Sequence, residues 1–167
     1  MNQPAARTLL VAILLSGCSE SAGPSPGTFS ARLTGARMAS VAGFSNASSV
    51  FAEPGQQFTI RMFAPRGDTV RAIVIACPGD RPPGPGVHAL DVSDAACTGR
   101  YSRVISSLEG GTRILEEAVA SSGSVTIEVS EAEQTVGEFT FSGVLVVDTD
   151  SVGTLHVAGS FNSDVLP

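Results

Sequence analysis

Two histidines, three cysteines and 16 carboxylates are the groups through which this chain of 167 residues could do chemistry. His88 and His156 are too few for an ordinary zinc site, and neither H-x-H nor H-E-x-x-H spacing occurs. His156 alternates with Leu155 and Val157, which puts it on the same strand face as Thr154 and Ser160, a solvated face. His88 stands close in sequence to Asp91 and Asp94, either of which could orient it as a base, but no G-x-S-x-G nucleophile signature accompanies it. Asp148 and Asp150 sit at i and i+2 without the further oxygens, Gly and closing Glu of a calcium loop, and read as an Asx turn. Glu128, Glu131, Glu133 and Glu138 read as an acidic, solvated hairpin face. These residues therefore nominate no catalytic group, no metal-ligand set and no cofactor-binding motif. All ten basic residues are Arg, the net charge is -6, and no basic run focuses a positive field. Such a surface repels phosphate backbones, so nucleic acid is not an expected partner.

The amino terminus carries the most specific signal. Arg7 and the α-amino group precede a short apolar run, Thr8 to Leu15, which is followed by small residues. That run is too short to span a hydrocarbon core about 30 Å thick, which takes roughly 20 residues as a helix. It has the build of an export signal over residues 1–17. Leu15-Ser16-Gly17-Cys18 then resembles the lipobox of bacterial lipoproteins, with Leu three positions before Cys and two small residues between. The resemblance implies cleavage before Cys18, acylation of its thiol, and anchoring to a membrane by several chains, each buried CH₂ contributing roughly 0.8 kcal/mol. The residue after Cys18 is Ser19, not the Asp that holds some lipoproteins at the inner membrane, which favours an outer membrane where the host has one. Without residues 1–17 the chain keeps nine Arg against 16 acids, a net charge of -7.

Acylation of Cys18 leaves Cys77 and Cys97 as a pair in an oxidising compartment, and such a pair reads as a disulfide. It closes a loop that holds the Pro-rich run 78–86, and its spacing excludes a C-x-x-C redox centre.

The elements that position these groups are strands. Residues 18–27 are rich in Ser, Gly and Pro and read as a tether, and residues 28–167 as one domain. Period-two alternation marks Phe58-Ile60-Met62, Val125-Ile127-Val129, Phe139-Phe141, and Leu155-Val157-Phe161. Val70 to Ala76 is nearly continuous and predicts a strand covered on both faces. Asp148-Thr149-Asp150-Ser151 predicts the turn of an antiparallel hairpin. Weaker strands are expected at 28–35, 38–42, 47–52, 87–91 and 100–107. Residues 112–120 fit either a short helix, from the spacing of Ile114, Leu115 and Ala118 and the pair Glu116-Glu117, or a bent strand. The fold class is all-β: an antiparallel sandwich or barrel of about nine to eleven short strands.

The segments S-G-S-V-T-I within 121–127, V-G-E-F-T-F-S-G at 136–143 and L-H-V-A-G-S-F-N at 155–162 resemble a group of secreted bacterial lipoproteins. F-S-A-R-L-T-G at 29–35 and Pro85-Gly86-Val87-His88 fit the same pattern, although the latter motif more often ends in Tyr. Those relatives are domains of unknown function, so the resemblance implies a fold and no reaction. Three functions are carried forward: a non-catalytic envelope module that binds a protein or small ligand, a small-ligand carrier with an open barrel mouth, and a hydrolase using His88.

Overall fold

The computed structural model of the chain describes residues 23–52, 55–93, 95–107 and 111–167. The export signal, Cys18, the first residues of the tether and Asp94 lie outside them.

Ten strands form: β1 (Thr28–Gly35), β2 (Ala39–Ala52), β3 (Gly55–Arg66), β4 (Thr69–Pro78), β5 (Gly86–Ala89), β6 (Thr98–Ser107), β7 (Gly111–Val119), β8 (Ser122–Ser130), β9 (Gln134–Val147) and β10 (Asp150–Val165). Eight of them close a ring: β1 pairs with β2, and the pairing continues through β3, β4, β6, β7, β9 and β10 back to β1. Among the described residues, all the pairings are antiparallel except a two-residue parallel contact between β10 and β2 and an isolated bridge from Leu90 to Cys97. β8 continues the line of β7 along the same edge of β9, and β5 adds to its outer side.

Two strands turn corners between the opposing walls. β2 pairs with β1 over Ala39 to Phe44 and with β3 from Phe44 onward; β9 leaves β8 at Ser142 and meets β7 at Leu145. Glycines sit at both corners because the neighbouring backbone comes too close for a side chain. A Cβ on Gly43 would lie 2.1 Å from the Phe63 carbonyl oxygen, and one on Gly143 would lie 2.1 Å from that of Val119.

An eight-stranded ring encloses a space that side chains just fill. Here they fill it in layers. Met62, Ile73, Tyr101, Ala118 and Leu145 form one layer across β3, β4, β6, β7 and β9. All five are buried, in one cluster with Phe29, Leu33, Phe58, Ile60, Ile75, Phe141, Leu155, Val157 and Phe161.

The alternating segments fall on the expected strands, and the expected strands at 38–42 and 47–52 are one bent strand. Residues 112–119 are strand, so the helical alternative for 112–120 is wrong. A β-bulge at Leu115 sets Glu116 opposite Arg103 and Ile114 opposite Val104, so Ile114 and Leu115 break the two-residue period and imitate helical spacing. Coverage of β4 on both faces is also corrected. Ile73 and Ile75 are fully buried on its inner side, whereas the outer side is covered only in part: Ala72 is buried there, and Val70 and Val74 are half-buried. The hairpin turn at Asp148 forms with that residue at φ 57°, the left-handed conformation that Asp tolerates in two-residue hairpin loops.

Candidate functional site

One layer beyond Tyr101, towards the mouth that holds the β1–β2, β3–β4 and β9–β10 turns, the interior changes character. The inward positions across β3, β4, β6, β7 and β9 are Ala64, Arg71, Arg103, Glu116 and Val147, each the registered partner of the next. Arg71 and Arg103 are inward for the same reason as their neighbours: Arg71 keeps parity with Ile73 and Ile75, and Arg103 with Tyr101. A third cation, Arg37, enters from the turn between β1 and β2.

Two guanidiniums and one phenol thus meet a single carboxylate, with the Arg71 guanidinium on the strand beside them. Glu116 is buried, its side chain 1% exposed; its Oε1 accepts from Nη2 of Arg37 and forms an ion pair with Nη2 of Arg103 at 3.0 Å. Its Oε2 accepts from the Tyr101 hydroxyl at 3.2 Å. Burial pushes the Tyr101 pKa up, and the negative Glu116 adds to this; the Arg71 guanidinium, through its charge and a hydrogen bond, acts in the opposite direction. Arg37 and Arg103 remain 41% and 32% exposed at the side chain, so the cluster reaches solvent on its outer side. The Nε atoms of Arg37, Arg71 and Arg103 are all buried without a hydrogen-bond partner among the described residues.

The groups nominated from sequence lie elsewhere and apart from one another. His88, on β5, has its Nε2 2.8 Å from the Gly84 carbonyl oxygen, which makes it a loop clasp. Hydrogen bonding by the Ser93 side chain, and then by the Ser93 amide, which donates to Asp91 Oδ1, holds the Asp91 carboxyl below the usual range. His156 is exposed on the outer face of β10, and its Nδ1 is 2.7 Å from the Ser142 hydroxyl. That contact joins a hydroxyl to an imidazole, but no carboxylate orients the ring among the described residues, and the pair lies on an open strand face. Asp148 and Asp150 flank the β9–β10 turn, and Glu128, Glu131, Glu133 and Glu138 are exposed around the β8–β9 hairpin. Cys77 and Cys97 are bonded, 20 residues apart in sequence, and tie the end of β4 to the residue before β6. A closure of that length stabilises by roughly 3 kcal/mol in the chain-entropy picture.

Sequence reasoning does not single out the Arg71–Arg103–Glu116 row. The signal that could have found it is parity: charged residues at inward positions of apolar-alternating strands. Glu116 is obscured further by the bulge beside it. The clefts on the outer walls, such as those lined by Ser124, Thr126, Glu138 and Ser160 or by Ser30, Ser40 and Ala158, are shallow and open. Comparison with protein-family models, with curated proteins and with solved structures found no match to this chain.

Proposed function

We propose that this protein is a membrane-anchored extracytoplasmic lipoprotein, acylated on Cys18, whose barrel is a non-catalytic binding module of the cell envelope. The observation that carries the reading is the distribution of the three cysteines. Cys77 and Cys97 are bonded to one another, and the third, Cys18, closes the Leu15-Ser16-Gly17-Cys18 motif behind an apolar run. A disulfide of this kind persists in oxidising compartments, and the motif addresses the chain to one.

The geometry from Pro24 onward is compatible with such an anchor. The Asn162 side-chain amide donates to the Pro24 carbonyl, and the Gly27 carbonyl accepts from the Ser45 amide, so the chain leaves the domain beside β1 and the end of β10. The mouth with the arginine cluster lies at the other end of these strands from Pro24. The filled interior weighs against a carrier with an apolar cavity. A hydrolase would require His88 beside a carboxylate and a hydroxyl; its ring contacts a backbone carbonyl.

Metabolic labelling with radioactive palmitate tests the reading. Label is expected on the wild-type chain and absent from a Cys18→Ala variant. Reduction of the intact protein should add two daltons, one for each thiol of a single bridge. Unlabelled protein recovered at full length in the cytosol overturns the proposal.

A further inference from the structure

We infer that the guanidinium cluster at this mouth is a binding site for an oxyanion group, a carboxylate or a phosphate carried by a small ligand, held between Arg71 and Arg103. The site lies wholly within the barrel, so its occupancy is independent of how the chain is anchored.

Register makes these arginines neighbours. Arg71 and Arg103 are direct cross-strand partners on the inner face of β4 and β6. Like charges placed directly opposite each other are destabilising in a sheet, so their juxtaposition calls for a compensating anion. Glu116, the partner of Arg103 on its other side, supplies only part of it.

The available valences leave a deficit. The two carboxylate oxygens of Glu116 are already engaged, one by Arg37 and Arg103 and the other by Tyr101. Arg71 has no carboxylate within ion-pair distance among the described residues, and each of the three guanidiniums keeps an unpartnered Nε. Among the described residues, the three guanidiniums of the cluster have one buried carboxylate beside them, in a chain whose net charge is -6. Asp68, Asp148 and Asp150 lie in turns at the same end and are exposed, but none forms an ion pair with these arginines.

The shape of the mouth suits such a ligand. The planar fork of an Arg side chain donates parallel hydrogen bonds to two oxygens of one anion, which a point charge such as Lys cannot do. Ala64 is the neighbour of Arg71 in the row, and Ala39 is a partly buried residue of β2 at the same mouth, so the registered partner of Arg71 on the side away from Arg103 is no larger than a methyl group. Arg37, on a turn and outside every strand, completes the rim from a position that can move without breaking the ring.

The chain has one Tyr and no Trp, so its intrinsic emission reports on Tyr101 alone, one layer beneath the proposed ligand. The full-length protein in detergent is titrated with sodium phosphate and, separately, with sodium acetate, with chloride balancing the ionic strength. A saturable change in Tyr101 emission is expected with at least one of the two, and which one saturates distinguishes a tetrahedral from a planar oxyanion. Arg71→Gln should raise the half-saturating concentration about tenfold or more, the loss of one charge-assisted donor pair. Arg71→Lys should recover part of the affinity. In ¹⁵N-labelled protein, the Nε–H resonances of Arg71 and Arg103 should shift with the same midpoint. Saturation by neither anion overturns the inference. So does an unaltered midpoint in Arg71→Gln protein whose circular dichroism matches wild type.

Discussion

Replacing Glu116 by Gln keeps the side chain's shape and removes its charge, which isolates what that charge does for the fold. In the native protein it meets the Nη2 atoms of Arg37 and Arg103 and the Tyr101 hydroxyl, all at a position 1% exposed. The variant leaves Arg37 and Arg103 with no partner carboxylate among the described residues and turns an amide NH₂ towards at least one donor. Removing one partner of a buried ion pair costs about 3–5 kcal/mol. Arg37 and Arg103 are 41% and 32% exposed, so water re-solvates part of their charge and the cost falls to the lower part of that range, about 3 kcal/mol. For a domain of this size that corresponds to a fall in Tm of roughly 6–12 °C. Urea unfolding followed by far-ultraviolet circular dichroism and by Tyr101 emission measures it, and coincident midpoints establish that the transition is two-state. Pairing Glu116→Leu with Arg103→Met should lose less than Glu116→Leu alone, because one uncompensated charge leaves with its partner. A loss under about 1 kcal/mol for Glu116→Gln, the range of an exposed pair, would refute the claim that this carboxylate holds the mouth together.

The corner glycines and the buried phenol give two more tests. Gly143→Ala places a Cβ 2.1 Å from the Val119 carbonyl oxygen and should cost at least about 2 kcal/mol, whereas Gly67→Ala, in an open turn at φ +61°, should cost about 1 kcal/mol; equal urea midpoints for the two variants would contradict the corner assignment. Tyr101 should titrate above its ordinary value of about 10, read from the growth of phenolate absorbance as alkali is added. Because the folded pKa is raised, its contribution to stability is complete below the unfolded value and is lost as pH rises through the folded one. Unfolding free energy should therefore decline in alkali above about pH 10 and be flat through neutrality for this group, and a flat profile in alkali would contradict the burial of the phenol.

How far the fold is legible in the sequence depends on whether a strand keeps its period. Phe58-Ile60-Met62 and Phe139-Phe141 alternate without interruption, Leu155-Val157-Phe161 with Gly159 between, and each lines the core as the pattern requires. Two bulges mark where the pattern weakens. Around Glu128 the pairing of β8 with β9 slips, and Val129 is only half-buried although Val125 and Ile127 are buried. At Leu115 the slip is large enough to resemble a helical turn. Ring closure is beyond the sequence for another reason: β2 and β9 each serve two walls, and what permits this is the absence of a side chain at Gly43 and Gly143. A glycine among 18 glycines carries no mark of which backbone will approach it.

The candidate site is hidden by a different cause. A search for chemistry along a sequence favours residues close together in the chain, such as His88 with Asp91 or Asp148 with Asp150. The residues brought together here come from four separate segments: Arg37 from the β1–β2 turn, Arg71 from β4, Arg103 from β6 and Glu116 from β7. Only the lateral register of the strands makes them adjacent. What marks them in the sequence is a charge where strand parity calls for an apolar side chain. Hydrophobic residues at the inward strand positions would extend the core by one more layer and close the mouth. An unbroken core would be at least as stable, since a well-packed apolar replacement of a buried ion pair is often neutral or stabilising. The cluster is therefore hard to explain as a device for stability alone, and an anion that completes it gives Arg71, which stands beside the pair of arginines on Glu116 without a carboxylate of its own among the described residues, a physical reason to be there.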